Sequence, residues 1–155
     1  MNEIGINEFN DIINNCINYN SVICYATNTI MIDFYNKSDE LIYSFHINPS
    51  WRIIFNNKII ASSCNYPQPE DYNNNDMEKY EKEWFSKTDF MKYEKIKNIK
   101  LLETYDLRIE WENGSILNNF VNDIEFPDYV LYNHLDNKIY EINYSKIIIR
   151  NMKYK

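Results

Sequence analysis

The chain has 155 residues and a formal net charge of −7, from 16 Lys and Arg against 23 Asp and Glu. An apolar content of 45% and an aromatic content of 16% suit one domain with a packed core and argue against disorder. The acidic balance argues against binding to nucleic acid, because it repels phosphates. With only two glycines, the chain has neither a P-loop nor a dinucleotide-binding fingerprint.

Cysteine usage and hydropathy indicate the compartment. Cys16, Cys24 and Cys64 are odd in number and lack CxxC spacing, which is typical of proteins from a reducing cytosol. Apolar runs such as 147–149 are far too short for a membrane span, and acidic and polar residues interrupt any leader-like segment. We therefore expect a cytoplasmic protein without a membrane partner.

The first predicted element is an N-terminal helix over 7–19. Its apolar residues recur at helical spacing and are separated by polar ones: Phe9, Ile12, Ile13, Cys16 and Ile17. Asn7 is the expected N-cap. A stripe of this width predicts a helix that covers one face of a sheet.

From Ser21 the period changes to two, which predicts a first β-meander over 21–63. Ile30, Ile32 and Phe34 alternate with more polar residues, as in a strand with one buried face. Pro49 lacks an N–H donor and predicts an edge or a corner of the sheet. The turn at 56–58 favours a hairpin, since Asn tolerates positive φ.

Residues 64–95 predict a loop followed by a helical connector. Two prolines and three consecutive asparagines mark the loop, and Met77, Tyr80 and Trp84 then keep approximate helical spacing. The pattern at 86–89 resembles a capping box and predicts a helix break. A second meander is expected over 96–151, with a type I′ hairpin turn at Asn113-Gly114.

An internal repeat organises the whole chain. Three segments of the first half recur in the same order in the second half. Residues 30–36 match 107–113 at an offset of 77, residues 49–51 match 127–129 at an offset of 78, and residues 57–59 match 137–139 at an offset of 80. This recurrence predicts a duplicated four-strand unit that builds one core. The predicted fold class is α+β, mostly antiparallel β, in a single domain over 1–155.

The chain offers few residues for catalysis. His46 and His134 are its only imidazoles and no HExxH motif occurs, so no metal or other cofactor is expected. Cys64 with His46 as its base is the one nucleophilic alternative, but it lacks a sequence signal for an orienting third group. Glu110 and Glu112 share one face of a strand, where a solvated pair is the simpler interpretation. We interpret the chain as non-enzymatic.

Acidic residues are segregated along the chain, and this pattern favours a basic protein partner. Acids dominate 70–83 and 103–128, whereas five lysines fall within 87–100. Exposed tyrosines in the loop would supply interface anchors. The predicted partner-binding residues are Tyr66, Glu70, Asp71, Tyr72, Glu110, Glu112, Asp123 and Glu125.

The segments PSWRII, KIIASS and DLRIEWENGS resemble those of a loosely defined set of small bacterial proteins with a WR-type strand and a later NG hairpin. In that set Asp often follows the Ser-Ser pair, where this chain has Cys64. Such proteins are similar to immunity proteins encoded beside secreted toxins. The resemblance implies a role in binding and blocking a cognate toxin, and it brings no catalytic residues.

The expected function is therefore that of an immunity protein that neutralises a cognate bacterial toxin, such as a basic nuclease, by direct binding. One alternative is a phage- or plasmid-encoded inhibitor of a host defence enzyme. Another is a small hydrolase that uses Cys64 and His46. The identity of the bound partner separates the first two, and loss of turnover on replacing Cys64 would support the third.

Overall fold

The structure, a computed structural model, describes residues 2–68, 70, 73–121 and 126–153. In this part of the chain, twelve strands form two antiparallel sheets and two α-helices accompany them. This confirms the predicted α+β class with mostly antiparallel β structure.

The elements alternate between short helices and long runs of strand. The helices are α1 (Ile6–Asn14) and α2 (Asn74–Ser86). Short 3₁₀ turns occupy Asn15–Asn18, Ser63–Asn65 and Asp89–Met91. The strands are β1 (Asn2–Ile4), β2 (Asn20–Ala26), β3 (Thr29–Tyr35), β4 (Leu41–Ile47), β5 (Trp51–Phe55), β6 (Lys58–Ser62), β7 (Ile96–Leu101), β8 (Leu107–Trp111), β9 (Ile116–Asn119), β10 (Tyr129–Asn133), β11 (Lys138–Asn143) and β12 (Lys146–Asn151).

The two halves of the chain exchange hairpins between the sheets. The seven-stranded sheet has the order β1-β12-β11-β10-β4-β3-β2, and the five-stranded sheet has the order β6-β5-β9-β8-β7. Each predicted meander is therefore divided, because the chain changes sheet at the Pro49 corner and again between β9 and β10. The seven-stranded sheet joins β2–β4 to β10–β12 and has β1 at its far edge, whereas the five-stranded sheet joins the β5–β6 hairpin to β7–β9.

The strand pairing of the first half recurs in the second. Ile32 pairs with Phe45 in β3–β4, and Ile109 pairs with Leu117 in β8–β9. The strand pairs that join the two halves also correspond. In the seven-stranded sheet, Tyr129 pairs with Ile47 and Leu131 pairs with Phe45. In the five-stranded sheet, the equivalent pairs are Trp51 with Asn119 and Ile53 with Leu117. These correspondences place the matched sequence segments in equivalent positions and support an internal duplication.

Each helix packs against the first strand of the other half. The Phe9 ring of α1 lies 5.8 Å from that of Tyr140, and α1 also contacts β7. The Trp84 ring of α2 lies 5.4 Å from that of Tyr25 in β2. One continuous core joins both sheets and both helices, with Trp51, Trp111 and Tyr129 among its largest fully buried side chains.

Several local predictions needed correction. The N-cap of α1 is Gly5 rather than Asn7, and the helix gives way to a 3₁₀ turn after Asn14. At Asn113-Gly114 only the glycine has positive φ, 87°, and its N–H bonds the Trp111 carbonyl, so this turn is not type I′. The two positive-φ residues of a type I′ turn lie instead at Asn56 and Asn57, with φ of 50° and 60°.

Candidate binding surface

The outer face of the seven-stranded sheet is the candidate binding surface. Strand residues alternate between the two faces of a sheet, so every second side chain points away from the core. The pairing register aligns two central rows of these side chains across five or more strands. One row is Cys24, Met31, His46, Val130, Glu141 and Ile148, and the other is Val22, Asp33, Ser44, Tyr132, Ile139 and Arg150.

Both helices pack on the opposite side of this sheet, against core residues such as Tyr140 and Tyr25. The outer face nonetheless carries many apolar side chains. Ile148 is only 8% exposed. Other apolar members of the face are half-buried, among them Val22, Met31, Tyr35, Val130, Tyr132 and Ile139. This half-apolar sheet face is not covered by a helix in the part of the chain that the structure describes.

Asp33 lies on the outer face of β3, one strand in from the β2 edge, and has no cationic partner among the described residues. Its carboxylate accepts a hydrogen bond from the Ser44 hydroxyl on the neighbouring strand. Glu141, on the same face, is neutralised instead, because Arg150 Nε lies 2.7 Å from its Oε2. Asp33 is thus an uncompensated negative charge with apolar neighbours on both sides.

His46 lies beside Asp33 and stacks on Tyr132, with ring centroids 4.7 Å apart. Burial lowers the pKa of His46 below its ordinary value, and the Asp33 charge opposes this effect only in part. The imidazole is therefore mostly neutral at pH 7, and it leaves the Asp33 charge in place.

Two depressions border the central rows. One has a volume of about 270 Å³ and is lined by Met31, Asp33, Leu41, Ser44, His46, Tyr132 and His134. The other has a volume of about 440 Å³ and lies toward the β2 edge, where Tyr19, Tyr35 and Tyr93 contribute three aromatic rings beside Lys95. The outer face is therefore contoured and offers recesses to side chains of a partner.

The predicted partner-binding acids that the structure describes do not lie on the outer face of the seven-stranded sheet. Glu110 is on the outer face of the five-stranded sheet, with its Oε1 atom 2.7 Å from Arg108 Nε. Glu112 follows β8 and lies 3.2 Å from Lys95 Nζ. Each carboxylate has a cation beside it, so neither presents a bare charge.

The loop residues of that prediction are only partly described. Tyr66 donates a hydrogen bond to Glu81, and its ring lies 5.2 Å from that of Trp84. Burial, with the Glu81 carboxylate, raises the pKa of Tyr66 to about 12. Glu70 is exposed. Asp71, Tyr72, Asp123 and Glu125 lie outside the described residues, so their partner contacts stay predictions.

Cys64 and His46 are placed on different sheets. Cys64 is exposed in the 3₁₀ turn after β6, at the edge of the five-stranded sheet. His46 is on the outer face of the seven-stranded sheet and contacts Tyr132. No hydrogen bond joins the two side chains within the described ranges, so the geometry offers no support for the hydrolase alternative.

Sequence reasoning missed Asp33 and Tyr132 as binding candidates. Asp33 lies between Ile32 and Phe34 in a strand, and such a residue is normally assigned to a solvated face. Its special position depends on the partner strands, since Met31, Ser44, His46 and Tyr132 come from three strands. The only local signal was a lone acid between apolar residues.

The described residues contain no group of three His, Cys, Asp or Glu side chains placed to hold a metal ion. None of their helices is long and apolar enough to cross a membrane. Comparison with protein-family models, with curated proteins and with solved structures gave no match to the chain.

Proposed function

We propose that this chain is a non-enzymatic binding protein that docks a basic protein partner on the outer face of its seven-stranded sheet. The partner is a bacterial toxin, and the chain acts as its immunity protein. The observation that carries the binding role is the uncompensated Asp33 carboxylate on a half-apolar sheet face.

The electrostatics favour a cationic partner. Asp33 has Val22, Met31 and Tyr132 around it and no Lys or Arg in ion-pair distance among the described residues. A partner Lys or Arg that reached this carboxylate would form a charge-assisted hydrogen bond in a site shielded from water. The net charge of −7 would also speed the approach of a basic protein.

The aromatic side chains around Asp33 suit an interface core. Tyr132 and Tyr35 are half-buried and keep rigid, amphipathic rings at the surface, which is the composition of interface hot spots. The recess beside His46 gives a partner side chain room to enter. Polar and charged residues such as Asp39 and Glu141 surround this centre.

The sequence resemblance is what supports a toxin as the partner. The WR-type strand and the later NG hairpin, β5 and the β8–β9 turn, resemble segments of small proteins that are similar to immunity proteins. Both segments lie in the five-stranded sheet, so the resemblance concerns the scaffold. The binding surface is proposed from the charges and packing of the other sheet.

Site-specific photo-crosslinking tests the proposal. A benzophenone amino acid replaces Tyr132 on the proposed surface, and a matched variant carries it at Asn98, which is exposed on the five-stranded sheet. In lysate of the source cells we expect position 132 to crosslink to one basic polypeptide, which the wild-type protein then inhibits stoichiometrically. Crosslinks at position 98 alone would contradict the proposed surface. A partner encoded by a host defence system would contradict the proposal that the partner is a toxin.

A further inference from the structure

The two sheets differ at the outer edge of their equivalent hairpins. In the second half, β11 is covered by β12, and Tyr140 pairs with Ile149 across that edge. In the first half, the equivalent strand β6 is the last strand of its sheet. Within the described ranges, the backbone of β6 makes no hydrogen bond outside its own hairpin.

The sequence explains why no equivalent of β12 covers β6 among the described residues. After β11 the chain turns at Tyr144 and Ser145 and returns as β12. After β6 it enters a 3₁₀ turn and then Pro67 and Pro69, which disfavour a returning strand. The duplicated fold therefore contains one strand position that is filled in one half and open in the other.

Two of the other sheet edges are already protected. At the β7 edge, the Asn10 side chain bonds both the N–H and the C=O of Leu101. At the β2 edge, the Ile23 N–H donates to the Lys92 carbonyl at 3.0 Å. The β1 edge is a strand of only three residues. The β6 edge has a bulge at Ile60 but no cap from outside its own hairpin, and it is the longest uncapped edge among the described strands.

We propose that β6 pairs with β6 of a second copy of this chain and forms a continuous antiparallel sheet across a two-fold dimer. Pairing of this kind uses the same strand on both copies and closes on itself, so it does not propagate into a fibre. The β12–β11 pair in the other sheet gives the template, since it covers the same edge with an antiparallel strand.

The composition of β6 favours a second copy as the occupant. The strand KIIAS contains one Lys and no acid, although the chain as a whole carries a charge of −7. Two acidic molecules can therefore approach at β6 without opposing carboxylates. Antiparallel pairing keeps the two copies of Lys58 apart, whereas parallel, in-register pairing would place two lysines together.

An exposed apolar side chain supplies part of the contact area. Ile59 is 57% exposed at this edge, next to the Asn56-Asn57 turn. A single pair of five-residue strands buries far less than a standard interface of about 1,600 Å², so the dimer is weak and depends on concentration.

Sedimentation velocity of the full chain from roughly 10 µM to 1 mM, the range that fits a small interface, tests the dimer. The wild-type mass is expected to rise from 18.9 kDa toward twice that value. Ile59→Asp should keep the protein monomeric. Leu135→Asp adds the same charge at a side chain with the same 57% exposure in the β10–β11 turn, and it should behave as wild type.

A wild-type protein that stays monomeric at every concentration would overturn the proposal. A dimer that survives Ile59→Asp, or that responds equally to Leu135→Asp, would also overturn it.

Discussion

The Asn10 side chain caps the backbone of Leu101 in the manner of a neighbouring strand. Asn10 Nδ2 donates to the Leu101 carbonyl at 3.0 Å, and Asn10 Oδ1 accepts from the Leu101 N–H at 2.8 Å. A side-chain amide carries the same donor and acceptor as a peptide group, so α1 protects the β7 edge with one residue. The first half of the chain is thereby fastened to the second across 91 residues.

Replacing Asn10 by Ala should destabilise the protein by about 1–3 kcal/mol, because two partly buried backbone groups lose their partner. The effect is expected despite the better helix propensity of Ala. Urea unfolding of the variant gives the free energy directly. Asn14→Ala is the matched control, an exposed residue at the end of the same helix, and it should change stability by less than about 0.5 kcal/mol. Equal effects of both changes would contradict the capping role.

The exchange of hairpins predicts that neither half folds alone. Fragments 1–68 and 73–155 each lack strands that complete a sheet, since β4 pairs with β10 and β5 pairs with β9 across the halves. Far-UV circular dichroism should show each fragment unfolded by itself and a β-sheet spectrum on mixing. A cooperative thermal transition from either isolated fragment would contradict the exchanged arrangement.

Tyr25 should make the protein sensitive to alkali. Burial raises the pKa of Tyr25 to about 12 from an ordinary value of 10.0, so the folded state favours the neutral phenol. This contribution to stability is complete below pH 10 and is lost as the pH rises toward 12. Tyr25→Phe removes this titratable phenol.

We therefore expect the unfolding free energy of Tyr25→Phe to fall less steeply between about pH 10 and about pH 12 than that of the wild type. At neutral pH the variant should lose about 1 kcal/mol, from the hydrogen bond that Tyr25 shares with Thr88. Parallel pH profiles for the two proteins would show that the phenol does not titrate as the burial requires.

Much of the fold follows from local sequence patterns. The alternation at Ile30, Ile32 and Phe34 locates β3, and the two asparagines at 56 and 57 locate the tight hairpin. Pro49 marks the corner where the chain changes sheet, because it cannot donate to a ladder. Each of these features depends on a few neighbouring residues. The internal repeat then predicts that the same features recur in the same order in the second half.

The exchanged hairpins and the binding surface could not be predicted in the same way. Whether β5 continues beside β4 or crosses to β9 depends on contacts between residues far apart in sequence, such as Ile53 with Leu117. The binding surface also depends on residues far apart in sequence, since three strands bring Asp33, His46 and Tyr132 together. The strand β1 was also missed, because three residues carry too little periodicity.

The most direct test of the proposed binding surface compares two charge reversals in the affinity for the purified, crosslink-identified partner. Asp33→Lys reverses the uncompensated charge on the seven-stranded sheet, and Glu110→Lys reverses a charge on the other sheet that Arg108 already neutralises. We expect Asp33→Lys to weaken binding by at least about tenfold, or about 1.4 kcal/mol, and to reduce its salt dependence. Glu110→Lys should leave both nearly unchanged. A larger loss from Glu110→Lys would contradict the account and move the interface to the five-stranded sheet.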